Sequence, residues 1–222
     1  MLCKAYILHD LEDDEGAIRE AHDAEMILSM TQSYDDIADV NYAVANITLS
    51  RGKNSKLDRE QILFRVNKTI ELCDKSPVNK SVLKIQATIR KALIYLGYYQ
   101  HGIKEDVPNA DIDLAKAILD NIAHKEQSIA ERSQVYYGMC RSLLAYRLGD
   151  IGSASKLEFK TRKQCGEYDL HNEIQQLDEL KHLIGTFPCK WLKKLVHSIY
   201  HNLIILLFFV MMIGGHFYGP TD

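Results

Sequence analysis

The chain has 222 residues, 46% of them hydrophobic and 26% charged, with a formal net charge of −3. That length allows one domain of ordinary size plus a tail, with a core that needs neither disulfides nor metal, and the composition excludes a disordered chain. The slight acidity leaves no global basic field for nucleic acid, and four prolines among abundant Leu, Ala, Ile, Lys, Glu and Gln point to an all-α protein.

The N-terminus, MLCKAYILHDLEDDEG, does not read as a signal peptide, because the apolar run Ala5–Leu8 is short and acidic residues follow at once. Glu12 to Glu15 suit the positive end of a helix macrodipole. Ala17, Ile18, Ala21, Ala24, Ile27 and Leu28 then fall near 3.6 spacing and predict an amphipathic helix. A second pattern begins at Asp39 with Val40, Ala43, Val44 and Ile47, and stops at Arg51-Gly52-Lys53-Asn54-Ser55. Asp58 is expected to cap the next helix, with Gln61 at the capping-box position. That helix ends near Ser76-Pro77.

The third pattern, Val82 to Leu96, runs into Gly97-Tyr98-Tyr99-Gln100-His101-Gly102. A polar loop with Pro108 follows, and Asp111 is expected to open a helix carrying Leu114, Ala115, Ile118, Leu119 and Ile122. A further pattern spans Gln127 to Leu148 and stops at Gly149-Asp150; Ser153-Ala154 start its partner segment. The last amphipathic pattern holds Leu170, Ile174, Leu177, Leu180, Leu183 and Ile184, and Gly185–Pro188 ends it.

Helix-ending turns recur at Gly52, Gly102 and Gly149, 50 and 47 positions apart. Each follows a longer helical pattern and precedes a shorter one, as in stacked helix pairs. Leu143 to Ala154 resembles the turn of the tetratricopeptide-repeat (TPR) family. In that family a glycine–acidic pair closes helix A, and a small residue five positions after the glycine, here Ala154, packs helix B against it. The resemblance centres on residues 127–168. It implies a short TPR-like solenoid of stacked antiparallel helix pairs and an adaptor mode of action. An irregular helical bundle whose glycines merely cap helices remains the alternative fold.

Lys190-Trp191-Leu192-Lys193-Lys194 is basic, and no Asp, Glu, Lys or Arg follows until Asp222. Within that stretch Leu203, Ile204, Ile205, Leu206, Leu207, Phe208, Phe209, Val210, Met211, Met212 and Ile213 are continuously apolar. Drawn out to Leu195, the segment reaches the roughly 20 residues that a spanning helix needs. Flanking lysines and Trp191, Tyr200, Phe217 and Tyr218 suit an interface. The expected organisation is a helical domain at 1–185, a basic linker at 186–194 and a transmembrane tail anchor at 195–218, with the domain in the cytosol. The lack of a basic residue in His216–Asp222 favours endomembrane over mitochondrial outer membrane. The alternative is a hydrophobic tail docked on its own domain.

Chemistry is sparse. Cys3, Cys73, Cys140, Cys165 and Cys189 include no CxxC spacing, so neither a disulfide framework nor a zinc site is indicated. His197 and His201 share a helical face but have no third ligand beside them. The pairs Asp35–Asp36 and Asp111–Asp113 sit at predicted helix starts, where capping explains them. Lys156, Lys160, Arg162 and Lys163 read as a solvated basic face. No phosphate loop, nucleophile elbow or kinase set occurs, so no cofactor, metal or enzymatic reaction is expected. Tyr95, Tyr98, Tyr99, Tyr136 and Tyr146 are the candidate partner-binding residues, since tyrosine is favoured at interfaces. The expected function is a non-catalytic adaptor that holds a protein or peptide partner at a membrane. RNA binding by a helical array of innate-immune type is the other class considered, and the mild acidity makes nucleic acid an unfavoured partner.

Overall fold

The computed structural model describes residues 2–11, 13–30, 33–50, 56–99, 102–104, 106–123, 129–170 and 173–186. The chain divides into two compact units, Met1–Lys181 and His182–Asp222. The described residues form nine helices and one two-stranded ribbon, so the protein is mostly helical. The helices are α1 (Leu2–Asp10), α2 (Asp14–Ser29), α3 (Tyr34–Ser50), α4 (Lys56–Lys75), α5 (Ser81–Tyr95), α6 (Asn109–Ala123), α7 (Glu131–Arg147), α8 (Ile151–Glu167) and α9 (173–186). From α1 to α8 each helix packs on the next in sequence; α1 also touches α3, and α5 touches α7.

Helix α1 was not expected from the sequence. Nine residues are too few for a helix to persist alone. Ala5 seats it on a cluster of Ala17, Ala21 and Ala24 from α2 and Val40, Val44 and Ile47 from α3. Small side chains on α1 and α2 let the backbones approach. Asp13 caps α2, its carboxylate accepting from the Gly16 amide at 2.9 Å. The Ser33 hydroxyl accepts from the Asp36 amide at 3.4 Å, and Asp35 and Asp36 occupy the first turn of α3 as the macrodipole favours.

Helix α4 begins at Lys56, so Asp58 lies inside its first turn and is not the N-cap expected of it. A second cluster, Ala45, Leu49, Ile62, Val66, Ala87, Ile94 and Tyr99, joins α3, α4, α5 and the ribbon. Helix α5 stops at Tyr95, before the Gly102 turn that its spacing suggested. Gly97 turns the chain at φ 80°, and Gly102 instead lies on β2 (Gly102–Ile103), antiparallel to β1 (Tyr98–Tyr99). The sequence pattern could not separate the two glycines, because a two-residue strand has no periodicity. Arg147 of α7 donates to the Leu96 carbonyl, at 3.1 Å from Nη2, satisfying an acceptor that the end of α5 leaves open, and to the Lys104 carbonyl just after β2.

The α7–α8 pair follows its predicted turn. Gly149 has φ 81°, its amide donates to the Tyr146 carbonyl at 3.0 Å, and the Asp150 amide donates to the Ala145 carbonyl at 2.9 Å. That double closure is a Schellman motif. Asp150 then caps α8 through the Ser153 amide at 2.9 Å. Ala154 is fully buried, and its carbonyl accepts from the Ser142 hydroxyl of α7 at 2.7 Å. Higher on the pair, Gly138 faces the buried Thr161, leaving no room for a Cβ.

Candidate functional site

The odd-numbered helices place a row of polar and aromatic side chains within electrostatic reach of one another. Tyr6 comes from α1, Tyr42 and Asn46 from α3, Arg90 from α5, Tyr136 from α7 and Glu173 from α9, with Tyr98 supplied by the ribbon. Arg90 is the centre. Its guanidinium carbon lies 4.7 Å from the centroid of the Tyr136 ring, within cation–π range. Burial opposes its charge, and a hydrogen bond with the Tyr136 hydroxyl favours it. Among the described residues no carboxylate lies within ion-pairing distance of it.

The acidic member, Glu173, is engaged elsewhere. It is 2% exposed and accepts from Arg132 Nε at 2.7 Å and from the Tyr136 hydroxyl at 3.0 Å. Two donors offset the cost of burying that carboxylate. Asp39, near Tyr6, pairs with Lys80 at 2.8 Å. Tyr98 is 2% exposed, and its hydroxyl is buried without a hydrogen-bond partner among the described residues. Such an orphaned group costs about 1–3 kcal/mol. Burial pushes the Tyr98 phenol well above its ordinary pKa, with Tyr136 adding to the rise and Arg90 opposing it. Burial likewise raises Tyr136. At neutral pH both phenols are protonated and act as hydrogen-bond donors. Arg90, Tyr42, Asn46 and Tyr136 are only partly buried, so the row reaches solvent.

The five tyrosines proposed from sequence do not share one surface. Tyr98 and Tyr136 belong to the Arg90 row. Tyr99 is 3% exposed on the far cluster, with the Lys104 ammonium 5.0 Å above its ring. Tyr95 is partly buried under Arg59, 5.7 Å away, and Arg59 pairs with Asp111 at 2.6 Å. Tyr146 is buried beside Arg147. Asp111 therefore serves an ion pair between α4 and α6. In the basic segment of α8, Arg162 is tied to Glu158 and Asp178, each at 2.8 Å, and Lys163 faces Glu167. Gly52, the 187–194 stretch and the apolar segment Leu203–Ile213 lie outside the described residues. Among the described residues no helix is long and apolar enough to cross a membrane, and no three His, Cys, Asp or Glu side chains converge as metal ligands.

Sequence reading missed Tyr6, Tyr42, Asn46, Arg90, Arg132 and Glu173. A signal existed: Tyr42, Arg90 and Tyr136 are 48 and 46 positions apart, close to the spacing of the turn glycines. Equivalent positions on successive helix pairs keep that separation. No protein-family model, curated protein or solved structure matches the chain.

Proposed function

We propose that the protein is a non-enzymatic adaptor in which a short, TPR-like run of helix pairs holds a segment of a protein partner, while residues 195–218 anchor it to a membrane. The supporting observation is the part-exposed row Tyr42–Arg90–Tyr136, repeated on alternate helices at near-constant spacing. Alternate helices of stacked pairs present side chains on one side, where a peptide or helix can lie across several of them. Aromatic and arginine side chains are the residues that most often dominate such contacts. The membrane role is supported by composition: a charge-free run preceded by lysines, with aromatics at both ends.

A photo-reactive phenylalanine analogue at Tyr42 of the full chain tests the first part. The expected result is a discrete adduct to another protein, absent when the analogue is placed at the exposed Leu148 instead. Equal labelling from both positions refutes a binding face. Removal of residues 190–222 is expected to release the protein from membranes into the soluble fraction. Retention of the truncated form through high salt and carbonate refutes the anchor.

A further inference from the structure

We propose that the outer face of the α1–α2 hairpin is a docking surface for a second copy of this chain, joined about a two-fold axis beside Cys3. The inference is independent of the adaptor reading.

The surface follows from how α1 is seated. Ala5 and Leu8 turn inward onto α2 and α3, so the opposite side of α1 carries Cys3 and Ile7, one helical turn apart. The Leu11 amide donates to the Ile7 carbonyl at 3.0 Å, which keeps Leu11 in the same row just past the helix end. Helix α2 is longer than α1, 16 residues against nine, and its last turns extend the stripe with Ile27 and Met30. All five side chains are exposed; Leu11 and Met30, at the two ends, keep 71% and 80% of their surface in water. A continuous apolar stripe of this size marks a protein contact.

The symmetry of the stripe names the occupant. The Lys4 ammonium bonds the Glu20 carboxylate, and that pair fixes the register of α1 against α2. Two helices joined by so short a turn run antiparallel. With about 1.5 Å of rise per residue, Ile7 and Leu11 lie about 5 and 10 Å to one side of the Lys4–Glu20 level, and Ile27 and Met30 about 10 and 15 Å to the other. The midpoint between Leu11 and Met30 and that between Ile7 and Ile27 then coincide to within about 1 Å, at the level of Cys3. A two-fold axis at that level brings Leu11 opposite Met30 of the second copy and Ile7 opposite its Ile27. Arg19 and Asp23 stand in the same row of α2 as Ile27 and straddle the same point. Both are exposed, and neither has an ion pair among the described residues. The axis sets Arg19 of one copy against Asp23 of the other, so the charges beside the stripe are self-complementary, as an isologous interface requires. An unrelated partner would need no such internal match. Covering the stripe on two copies removes roughly 1,000 Å² from water, the lower limit for a specific contact. A contact of that size exchanges readily with the monomer, so Cys3 stays open to small thiol reagents.

The test uses the full Cys189→Ser chain in mild detergent, followed by sedimentation equilibrium and by a short bis-maleimide. A concentration-dependent monomer–dimer equilibrium and a Cys3–Cys3 adduct are expected. Leu11→Asp and Ile27→Asp, both at exposed positions, should each weaken dimerisation at least about tenfold, because each buries an unpaired carboxylate in the contact. Phe64→Asp, at an exposed position on α4, should leave it unchanged. Arg19→Asp should weaken it several-fold, and adding Asp23→Arg should restore it. A chain that stays monomeric, with a Cys3 adduct forming no faster than in a Cys3→Ser, Leu148→Cys chain, overturns the proposal. So does a dimer indifferent to Leu11→Asp and Ile27→Asp, one weakened as much by Phe64→Asp, or one that the Asp23→Arg exchange does not restore. A monomer whose Cys3 reacts only after residues 190–222 are removed assigns the surface to the chain's own apolar segment, and one whose Cys3 links only to a different protein in cell membranes assigns it to that protein; either result overturns the second copy as occupant.

Discussion

Gly138→Ala probes the closest approach in the fold. A Cβ at Gly138 would overlap Thr161 Oγ1 and sit 3.2 and 3.3 Å from Thr161 Cγ2 and Cβ. Thr161 cannot move away freely: it is 2% exposed and its hydroxyl donates to the Leu157 carbonyl at 2.8 Å. The β-branched side chain is also restricted in χ1 on a helix. Overpacking of this kind costs about 1–3 kcal/mol, while replacing a mid-helix glycine by alanine returns about 1 kcal/mol. The net expectation is a loss of up to about 2 kcal/mol. Equilibrium urea unfolding of the full chain in mild detergent, followed by far-UV circular dichroism, measures it. The second arm is Thr161→Ala. On that background the overlap with Oγ1 and Cγ2 is gone, so Gly138→Ala is expected to be neutral or stabilising by up to about 1 kcal/mol. The two substitutions should therefore show a coupling of about 1–3 kcal/mol. Additive effects of the two substitutions refute the claim that α7 and α8 meet through this glycine.

Gly149→Ala is expected to cost only about 1 kcal/mol, the strain of φ 81°, because nothing lies within 4 Å of the added Cβ. Gly97→Ala shares that strain and also drives a Cβ to 2.7 Å from Val107 Cγ2, so it should cost about 1–3 kcal/mol more by the same urea measurement. Burial alone would raise the Glu25 carboxyl, but its bonds to Arg65 and His22 hold it below the usual carboxylate range. A depressed folded-state pKa means stability that is present at neutral pH and lost as pH falls through that pKa. Glu25→Gln should therefore narrow the stability gap between neutral and acid pH; an unchanged gap contradicts the pairing. Burial pushes the Cys165 thiol up to about 11 and raises Cys73 and Cys140, whereas Cys3 is exposed. In a Cys189→Ser chain, a thiol reagent at mildly alkaline pH should modify Cys3 at once and the other three only as the protein unfolds. Rapid modification of a second thiol refutes that packing.

Much of the helical order follows from the sequence alone. Helices α2, α3 and α5 to α9 sit where apolar side chains recur at 3.6 spacing between glycine, proline and acidic caps, because those signals are local and every helix must bury a face. The turn at Gly149 and the small Ala154 after it were legible for the same reason. What tertiary structure alone decided is whatever depends on partners distant in sequence. Nine residues of α1 become a helix only through Ala5 on α2 and α3. The two-residue ribbon moves the turn of α5 from Gly102 to Gly97. Five tyrosines that looked equivalent in sequence separate into buried packing and a part-exposed row. Their roles depend on which helix faces them, and Arg90, the charge at the centre of that row, stands out only once four other helices and the ribbon are folded around it.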